Sequence, residues 1–79
     1  MLDLHGLRVD EAIRRTSAFL VRERERGTIS VRVVTGHGTG ALKEAVGELL
    51  RGHPAVASVR PSLRSDAAML VVLKPTARG

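Results

Sequence analysis

The chain is 79 residues long, contains no cysteine and carries 13 basic against 8 acidic residues, a formal net charge of +5. Its length predicts one domain over residues 1–75 with a frayed tail over 76–79, and the lack of cysteine excludes disulfides and thiolate metal sites. No apolar stretch approaches the roughly 20 residues that cross a bilayer and no signal peptide follows Met1, so we expect a cytoplasmic protein without membrane contact.

The first half of the chain predicts a short strand, a helix and a second strand. The strand covers residues 2–4, where apolar and polar residues alternate. Over residues 9–20 apolar side chains recur at helical spacing, and a charged helix end follows over 22–26. Gly27 is a natural C-terminal cap for this helix. A second strand, rich in β-branched residues, covers 31–34.

The second half predicts another helix and two further strands. An apolar stripe at helical spacing marks the helix, made by Leu42, Ala45, Val46, Leu49 and Leu50. Residues 56–60 form a third strand that Pro61 stops, and 69–73 form a fully apolar strand, central or covered. The last two strands are close enough to form a hairpin. The order β-α-β-α-β-β predicts a two-layer α/β sandwich, in which a four-stranded mixed sheet carries two helices on one face.

The basic balance of the chain favours a polyanionic partner, of which nucleic acid is the commonest. Eleven of the 13 basic residues are arginine, whose planar guanidinium fits phosphate oxygens. Because Phe19 is the only aromatic residue, stacking on bases contributes little. We therefore expect contacts mainly to the sugar-phosphate backbone, with weak sequence preference.

Two polar side chains leave the first strand on the same side. The two-residue period of a strand sends Leu2 and Leu4 to one face and directs Asp3 and His5 to the other. Asp3 can therefore orient and polarise His5, or share a divalent cation with it. The same spacing also occurs in solvated strand edges, so this motif alone is a weak signal.

A glycine-rich turn with the sequence Thr-Gly-His-Gly-Thr-Gly (residues 35–40, the glycine turn) leads into the second helix. Alternate glycines let the backbone approach a ligand, and amides at a helix N-terminus can face an anion. The turn lacks the Gly-Lys-Ser/Thr ending of a nucleotide-binding P-loop, and a merely tight turn is the alternative. The expected phosphate-binding residues are Gly36, Gly38, Thr39 and Gly40, together with Lys43 one turn into the helix and Arg8 after the first motif.

The remaining candidates are histidine and arginine residues near these motifs. His37 lies inside the glycine turn, where little else explains it, so it joins the catalytic candidates. His53 lies at a helix end, where a structural role that stabilises the helix dipole is the better interpretation. Arg60 and Arg64 fit a solvated surface better than contacts to phosphate.

Together the motifs resemble the Smr (small MutS-related) domain along nearly the whole chain. The resemblance rests on Leu-Asp-Leu-His-Gly at 2–6, on the glycine turn at 35–40 and on His-Pro at 53–54. The segment 7–12 is most similar to the form found at the C-terminus of bacterial MutS-like proteins that act outside mismatch repair. The departure is Ser-Asp-Ala-Ala at 65–68, where many members have a glycine-rich turn.

This resemblance implies a fold similar to that of the C-terminal domain of translation initiation factor three. It implies an endonuclease that nicks DNA with little sequence preference, and in some members cleaves RNA. It also implies a longer MutS-like parent chain, with links to suppression of recombination and to stalled ribosomes. Carried over by position, Asp3 and His5 match the first motif, and the second is matched by Gly36, His37, Gly38 and Gly40.

We therefore hypothesise a domain that cleaves phosphodiester bonds in DNA, with branched DNA or RNA as other substrates. The glycine turn would hold the scissile phosphate, and His5, oriented by Asp3, or His37 would act as general base and general acid. A two-metal mechanism fits poorly, because only Asp3 offers a well-placed carboxylate in these motifs, but one Mg²⁺ or Mn²⁺ bridging Asp3 and the phosphate stays open. A mechanism that uses only two histidines needs an internal nucleophile such as the ribose 2′-OH, so it predicts cleavage of RNA and not of DNA.

Two alternatives use the same sequence without catalysis. A nucleic-acid- or ribosome-binding module of a larger protein needs the glycine turn and the arginines, but neither Asp3 nor His5. A structural domain that oligomerises through an exposed sheet face predicts no salt-dependent retention on DNA, whereas phosphate contacts predict a steep salt dependence.

Overall fold

The computed structural model describes residues 1–36, 40–62 and 67–75. Within these ranges the chain forms β1 (Leu2–Asp3), α1 (Val9–Glu25), β2 (Ser30–Val34), α2 (Gly40–Gly52), β3 (Val56–Pro61) and β4 (Ala68–Leu73). This order of elements confirms the prediction. Outside the described residues lie the candidates His37, Gly38, Thr39 and Arg64, the departure at 65–66 and the predicted tail at 76–79.

The four strands form one mixed sheet in the order β1-β2-β4-β3. β1 runs parallel to β2, while β2 and β3 each pair antiparallel with the central strand β4. The first three strands therefore advance in one direction across the sheet, which is the condition for two crossover helices on the same face. The predicted two-layer sandwich and the pairing of the last two strands are confirmed.

A single aliphatic core lies between the sheet and the helices. α1 and α2 pack against each other, and α2 also packs against β3. Phe19, the only aromatic residue of the chain, is only partly buried against this core. The buried cluster consists of Leu4, Ala12, Leu20, Val31, Val33, Val46, Leu50, Val56, Met69, Val71 and Leu73.

The first helix ends as its glycine predicts. Gly27 has a φ of +81°, which L side chains rarely adopt, and its N–H donates to the carbonyl of Arg24 at 3.0 Å. At the other end, Asp10 and Glu11 place negative charge in the first turn, where the helix dipole favours it. In the described part of the chain, neither helix is long and apolar enough to span a membrane.

Two details of the hairpin differ from the prediction. Pro61 does not stop β3 but is its last residue, paired with Met69. Because β3 is an edge strand, a residue without an N–H can be placed there. β4 is central as expected but is covered on one face only, since Leu70 is exposed. We call the uncovered side of the sheet the open face; it carries Arg32, Leu70 and Arg60 from β2, β4 and β3.

Candidate active site

Asp3 and His5 form a hydrogen-bonded pair where β1 ends. Asp3 Oδ1 accepts the backbone N–H of His5 at 3.1 Å and lies 2.7 Å from the ring Nδ1. Leu4, between them, is completely buried, and its N–H donates to the carbonyl of Val34 at 2.7 Å. The core side chain and the sheet bond thus fix the backbone from which both polar groups project. The structure contains the orienting contact that the sequence predicts between Asp3 and His5.

This pair leaves one imidazole nitrogen available for chemistry. Asp3 binds Nδ1 of His5, so Nε2 is the nitrogen that can meet a substrate. The side chain of His5 is 71% exposed and that of Asp3 is 46% exposed, so a large ligand can reach both. An imidazole held in this way can accept a proton at Nε2 while the carboxylate stabilises the resulting cation.

The hydrogen bonds from His5 also keep Asp3 ionised. They hold the pKa of the Asp3 carboxyl below its ordinary value of 3.8, first through the side-chain bond and second through the backbone N–H. Asp3 is therefore a carboxylate throughout the neutral range, and it can serve as the acceptor that orients the ring.

The second motif reaches the first at Gly36. Its φ is +84°, and a Cβ built there would lie 2.9 Å from the Cβ of His5, so a larger residue would displace the ring. Thr35 is buried, and its N–H and hydroxyl both donate to the carbonyl of Ala67, at 2.7 and 3.2 Å. The N–H of Gly36 donates to the same oxygen at 3.2 Å. The glycine turn therefore begins against His5 and is tied to the residue before β4.

Other predicted phosphate-binding residues lie on the two helices that follow the motifs. Gly40 is the first residue of α2, and Lys43 is exposed one turn further on. Arg8 is exposed and extended at the N-terminal boundary of α1. Phosphate binding by these residues stays a prediction, since it also depends on residues 37–39, outside the described ranges.

His53 has a structural role, although a different one from the role predicted. Its ring Nδ1 accepts the N–H of Ala55 at 3.1 Å, and its own N–H donates to the carbonyl of Leu50 at 3.3 Å. The imidazole thus holds the turn between α2 and β3 and uses an acceptor nitrogen to do so. Stabilisation of the helix dipole is not needed to explain this residue.

A divalent cation fits this site only if a substrate phosphate supplies some of its ligands. Among the described residues, no group of three or more His, Asp or Glu side chains could hold a metal ion. Mg²⁺ is nevertheless commonly bound by one or two carboxylates, several waters and substrate phosphates. Asp3 can supply one such carboxylate oxygen, since its contact with His5 occupies Oδ1. The described residues therefore fit one Mg²⁺ or Mn²⁺ shared with a phosphate.

Sequence reasoning missed the contacts of Thr35 and the position of Arg32 in the sheet. In the sequence Thr35 looks like part of the glycine turn. In the structure its two hydrogen bonds to the carbonyl of Ala67 join residues 32 positions apart. Arg32 lies between Val31 and Val33, and this alternation already indicates an outward side chain. What the alternation does not give is the register that aligns Arg32 with residues of β4 and β3.

Comparisons with known proteins agree with this fold. The Smr domain family model matches residues 2–74. The chain superimposes on the crystal structure of the Smr domain of Thermus thermophilus MutS2 with a TM-score of 0.90 and 34% identity, covering 94% of this chain and 96% of that one. For the human small-MutS related domain the TM-score is 0.76 at 34% identity, with 94% and 100% covered.

In curated relatives the segment that matches this chain is a small part of a longer protein. Endonuclease MutS2 of Anaeromyxobacter sp. is 40% identical over 76 residues, which span 92% of this chain and 9% of that protein. Endonuclease MutS2 of Brevibacillus brevis is 44% identical over 59 residues, which span 75% and 8%. The resemblance predicted from the two motifs is confirmed: the chain belongs to the Smr domain family.

Proposed function

We propose that this domain is an endonuclease that nicks DNA with little sequence preference. The observation that carries the proposal is the 2.7 Å contact between Asp3 and His5, exposed at the sheet edge with Gly36 packed beside it. The names of the full-length relatives, each called an endonuclease, support the same reaction class. This chain matches less than a tenth of those proteins, so its own activity has to be measured.

In the proposed reaction His5 is the general base and Asp3 is its positioning residue. Water attacks the phosphorus atom and transfers a proton to Nε2 of His5, and the bond to the leaving sugar oxygen breaks. Asp3 stabilises the imidazolium that forms, and the leaving oxygen takes up a proton from solvent water or from protonated His37. Backbone amides of the glycine turn, together with Lys43 and Arg8, would stabilise the charge on the phosphate oxygens. The proposal keeps His37 as the alternative acid or base.

The same pair can act on RNA through a different nucleophile. The ribose 2′-OH, next to the scissile phosphate, would transfer its proton to Nε2 of His5 and attack the phosphorus atom itself. The bond from phosphorus to the 5′ oxygen of the next nucleotide would break, which leaves a 2′,3′-cyclic phosphate, and the 5′ oxygen would take up a proton from water. No bound water is needed for this route, so one oriented imidazole is sufficient to start it. When present, Mg²⁺ or Mn²⁺ would neutralise phosphate charge, with Asp3 as its protein ligand. The rates on DNA and RNA, with and without metal, distinguish these routes.

The direct test is conversion of supercoiled plasmid to open circle, alongside cleavage of a single-stranded RNA of mixed sequence. Each substrate is incubated with the purified domain in Mg²⁺, Mn²⁺ or EDTA. The unmodified domain should cleave, and the variants Asp3→Asn and His5→Gln should lose activity by on the order of 100-fold or more. His53→Asn is the matched histidine control, since an asparagine oxygen can accept the Ala55 N–H, and it should cleave normally.

The non-catalytic alternative makes the opposite prediction. If both substrates are bound with a steep salt dependence but stay intact in every metal condition, the domain is a nucleic-acid-binding module. If cleavage is equal in all variants, the activity belongs to a contaminant or to other residues. The His37→Gln variant distinguishes a contaminant from other residues of the domain. Loss of activity in this variant would assign the general base to the glycine turn.

A further inference from the structure

Three side chains form a row across the open face of the sheet. Arg32 of β2 is the register partner of Leu70 in β4, and Leu70 is the partner of Arg60 in β3. Register partners point to the same side of a sheet, so all three project away from the helices. Adjacent strands lie about 4.8 Å apart, which places the backbones that carry the two arginines about 10 Å from each other. An apolar residue thus lies between two cations.

The row is continuous with the candidate active site. Asp3 is the register partner of Val34. Val34 is two residues beyond Arg32 on the same strand, and side chains two apart in a strand share a face. Asp3 therefore lies on the open face, one strand over and one diagonal step from Arg32. A chain that is bound at Asp3 and His5 and continues across the sheet meets Arg32 first.

The electrostatics of this face suit an anion. Among the described residues, neither Arg32 nor Arg60 has a carboxylate partner, and β2, β3 and β4 contain no acidic residue. The carboxylate on this face is Asp3 of β1, which is hydrogen-bonded to His5. Leu70 is 36% exposed, so an apolar side chain is accessible between the two arginines. We propose that the open face binds a single strand of nucleic acid that continues from Asp3 and His5, with phosphates on Arg32 and Arg60.

A single strand fits this row better than a duplex or a second copy of the domain. Unpaired bases can place an apolar face on Leu70, whereas a duplex keeps its bases stacked inside and presents only phosphates. Two copies pairing through this face would bring four guanidinium groups together, and the carboxylate that β1 adds to the face, Asp3, is already hydrogen-bonded to His5. The inference rests on the proposed function, since it takes its direction from Asp3 and His5.

Binding of a fluorescent 12-nucleotide single strand tests the inference, measured in EDTA over a range of salt concentrations. The face variant is Arg32→Gln/Arg60→Gln. The matched control is Arg14→Gln/Arg22→Gln, which removes the same charge from exposed positions on α1, in the opposite layer. Each lost phosphate contact lowers the slope of log affinity against log salt by about 0.7 for a single strand, so the face variant should lose about 1.4. The control should keep its slope.

A third variant, Leu70→Thr, separates base contact from charge. It introduces a β-branched residue, which strands favour, and should weaken binding of the single strand several-fold while leaving binding of a 12-base-pair duplex unchanged. The inference is wrong if the face variant and the control behave alike, if duplex binds as tightly as single strand, or if the domain binds no nucleic acid. It is also wrong if the face variant instead abolishes a dimer on size exclusion. A domain that binds through this face but does not cleave refutes the proposed function alone.

Discussion

Gly36 lies so close to His5 that a Cβ at position 36 would be 2.9 Å from the Cβ of the histidine. The two motifs of this domain can therefore come into contact only because residue 36 has no side chain. The positive φ of Gly36 also favours glycine at this position, because L side chains rarely adopt that backbone conformation. The buried Thr35, which precedes Gly36, anchors the end of β2 through its bonds to Ala67, so a larger residue at position 36 cannot be accommodated by a shift of the turn alone.

Replacing this glycine should therefore damage activity more than stability. Gly36→Ala combines a backbone strain of about 1–2 kcal/mol with a displacement of the His5 ring, and cleavage should fall by at least tenfold. Gly27→Ala is the control, because Gly27 has a φ of +81° with nothing within 4 Å of its Cβ position. It should carry the same strain, measured by urea unfolding, and retain full cleavage. Equal activity in the two variants would contradict the close approach to His5.

The ionisation of Asp3 depends on His5 and is measurable by NMR. The Asp3 carboxyl should titrate below 3.8 in the unmodified domain, because the ring and the backbone N–H of His5 both donate to its ionised form. A lowered pKa means that this contribution to stability is complete above 3.8 and is lost as the pH falls through the lowered value. In His5→Ala the ring bond is lost and the backbone bond remains, so the pKa should rise partway. Titration at or above 3.8 in the unmodified domain would refute the pair.

Because a buried leucine anchors the first motif, we expect replacement by alanine to lower the stability of the domain more at Leu4 than at Leu70. Leu4→Ala empties a completely buried position and should lower the free energy of unfolding by about 2–5 kcal/mol. Leu70→Ala, at a 36% exposed position on the open face, should cost much less. Urea unfolding of both variants measures the difference. Similar costs would mean that the open face is covered in solution.

Thr35 tests how tightly the glycine turn is tied to β4. Thr35→Val keeps the shape of the side chain and both backbone N–H bonds to Ala67 but removes the hydroxyl bond of 3.2 Å. The expected loss is about 1 kcal/mol of stability, with cleavage retained. Thr35→Ser is the complementary variant, because it keeps the hydroxyl and removes a methyl group. A large fall in cleavage in Val but not in Ser would assign the hydroxyl a role beyond anchoring.

Local patterns in the sequence were sufficient for most of the fold. The helical stripe of α2, the cap at Gly27 and the apolar β4 follow from spacing and from the backbone preferences of glycine. The placement of Pro61 did not follow, because whether a proline ends a strand depends on which edge of the sheet it occupies. Edge and centre are decided by pairing across the whole chain.

The candidate site also has a part that local sequence predicts and a part that it does not. Asp3 and His5 are two residues apart on a strand, so their contact could be expected from local geometry. The approach of Gly36 to His5 and the row of Arg32, Leu70 and Arg60 depend on strand register, which no local pattern in one sequence provides. Arg60, expected on a solvated surface, is exposed as predicted, and only the strand register shows that it shares a row with Arg32 and Leu70.

The most direct test of the central claim is single-turnover cleavage by Asp3→Asn at saturating enzyme, with affinity for the same DNA measured separately. Asparagine keeps the size of the side chain but removes the charge that orients and stabilises the His5 ring. If the Asp3–His5 pair performs the reaction, the rate falls by about 100-fold to 10,000-fold while affinity changes less than about threefold. An unchanged rate, with the unmodified domain active, would contradict the assignment of this pair as the catalytic centre.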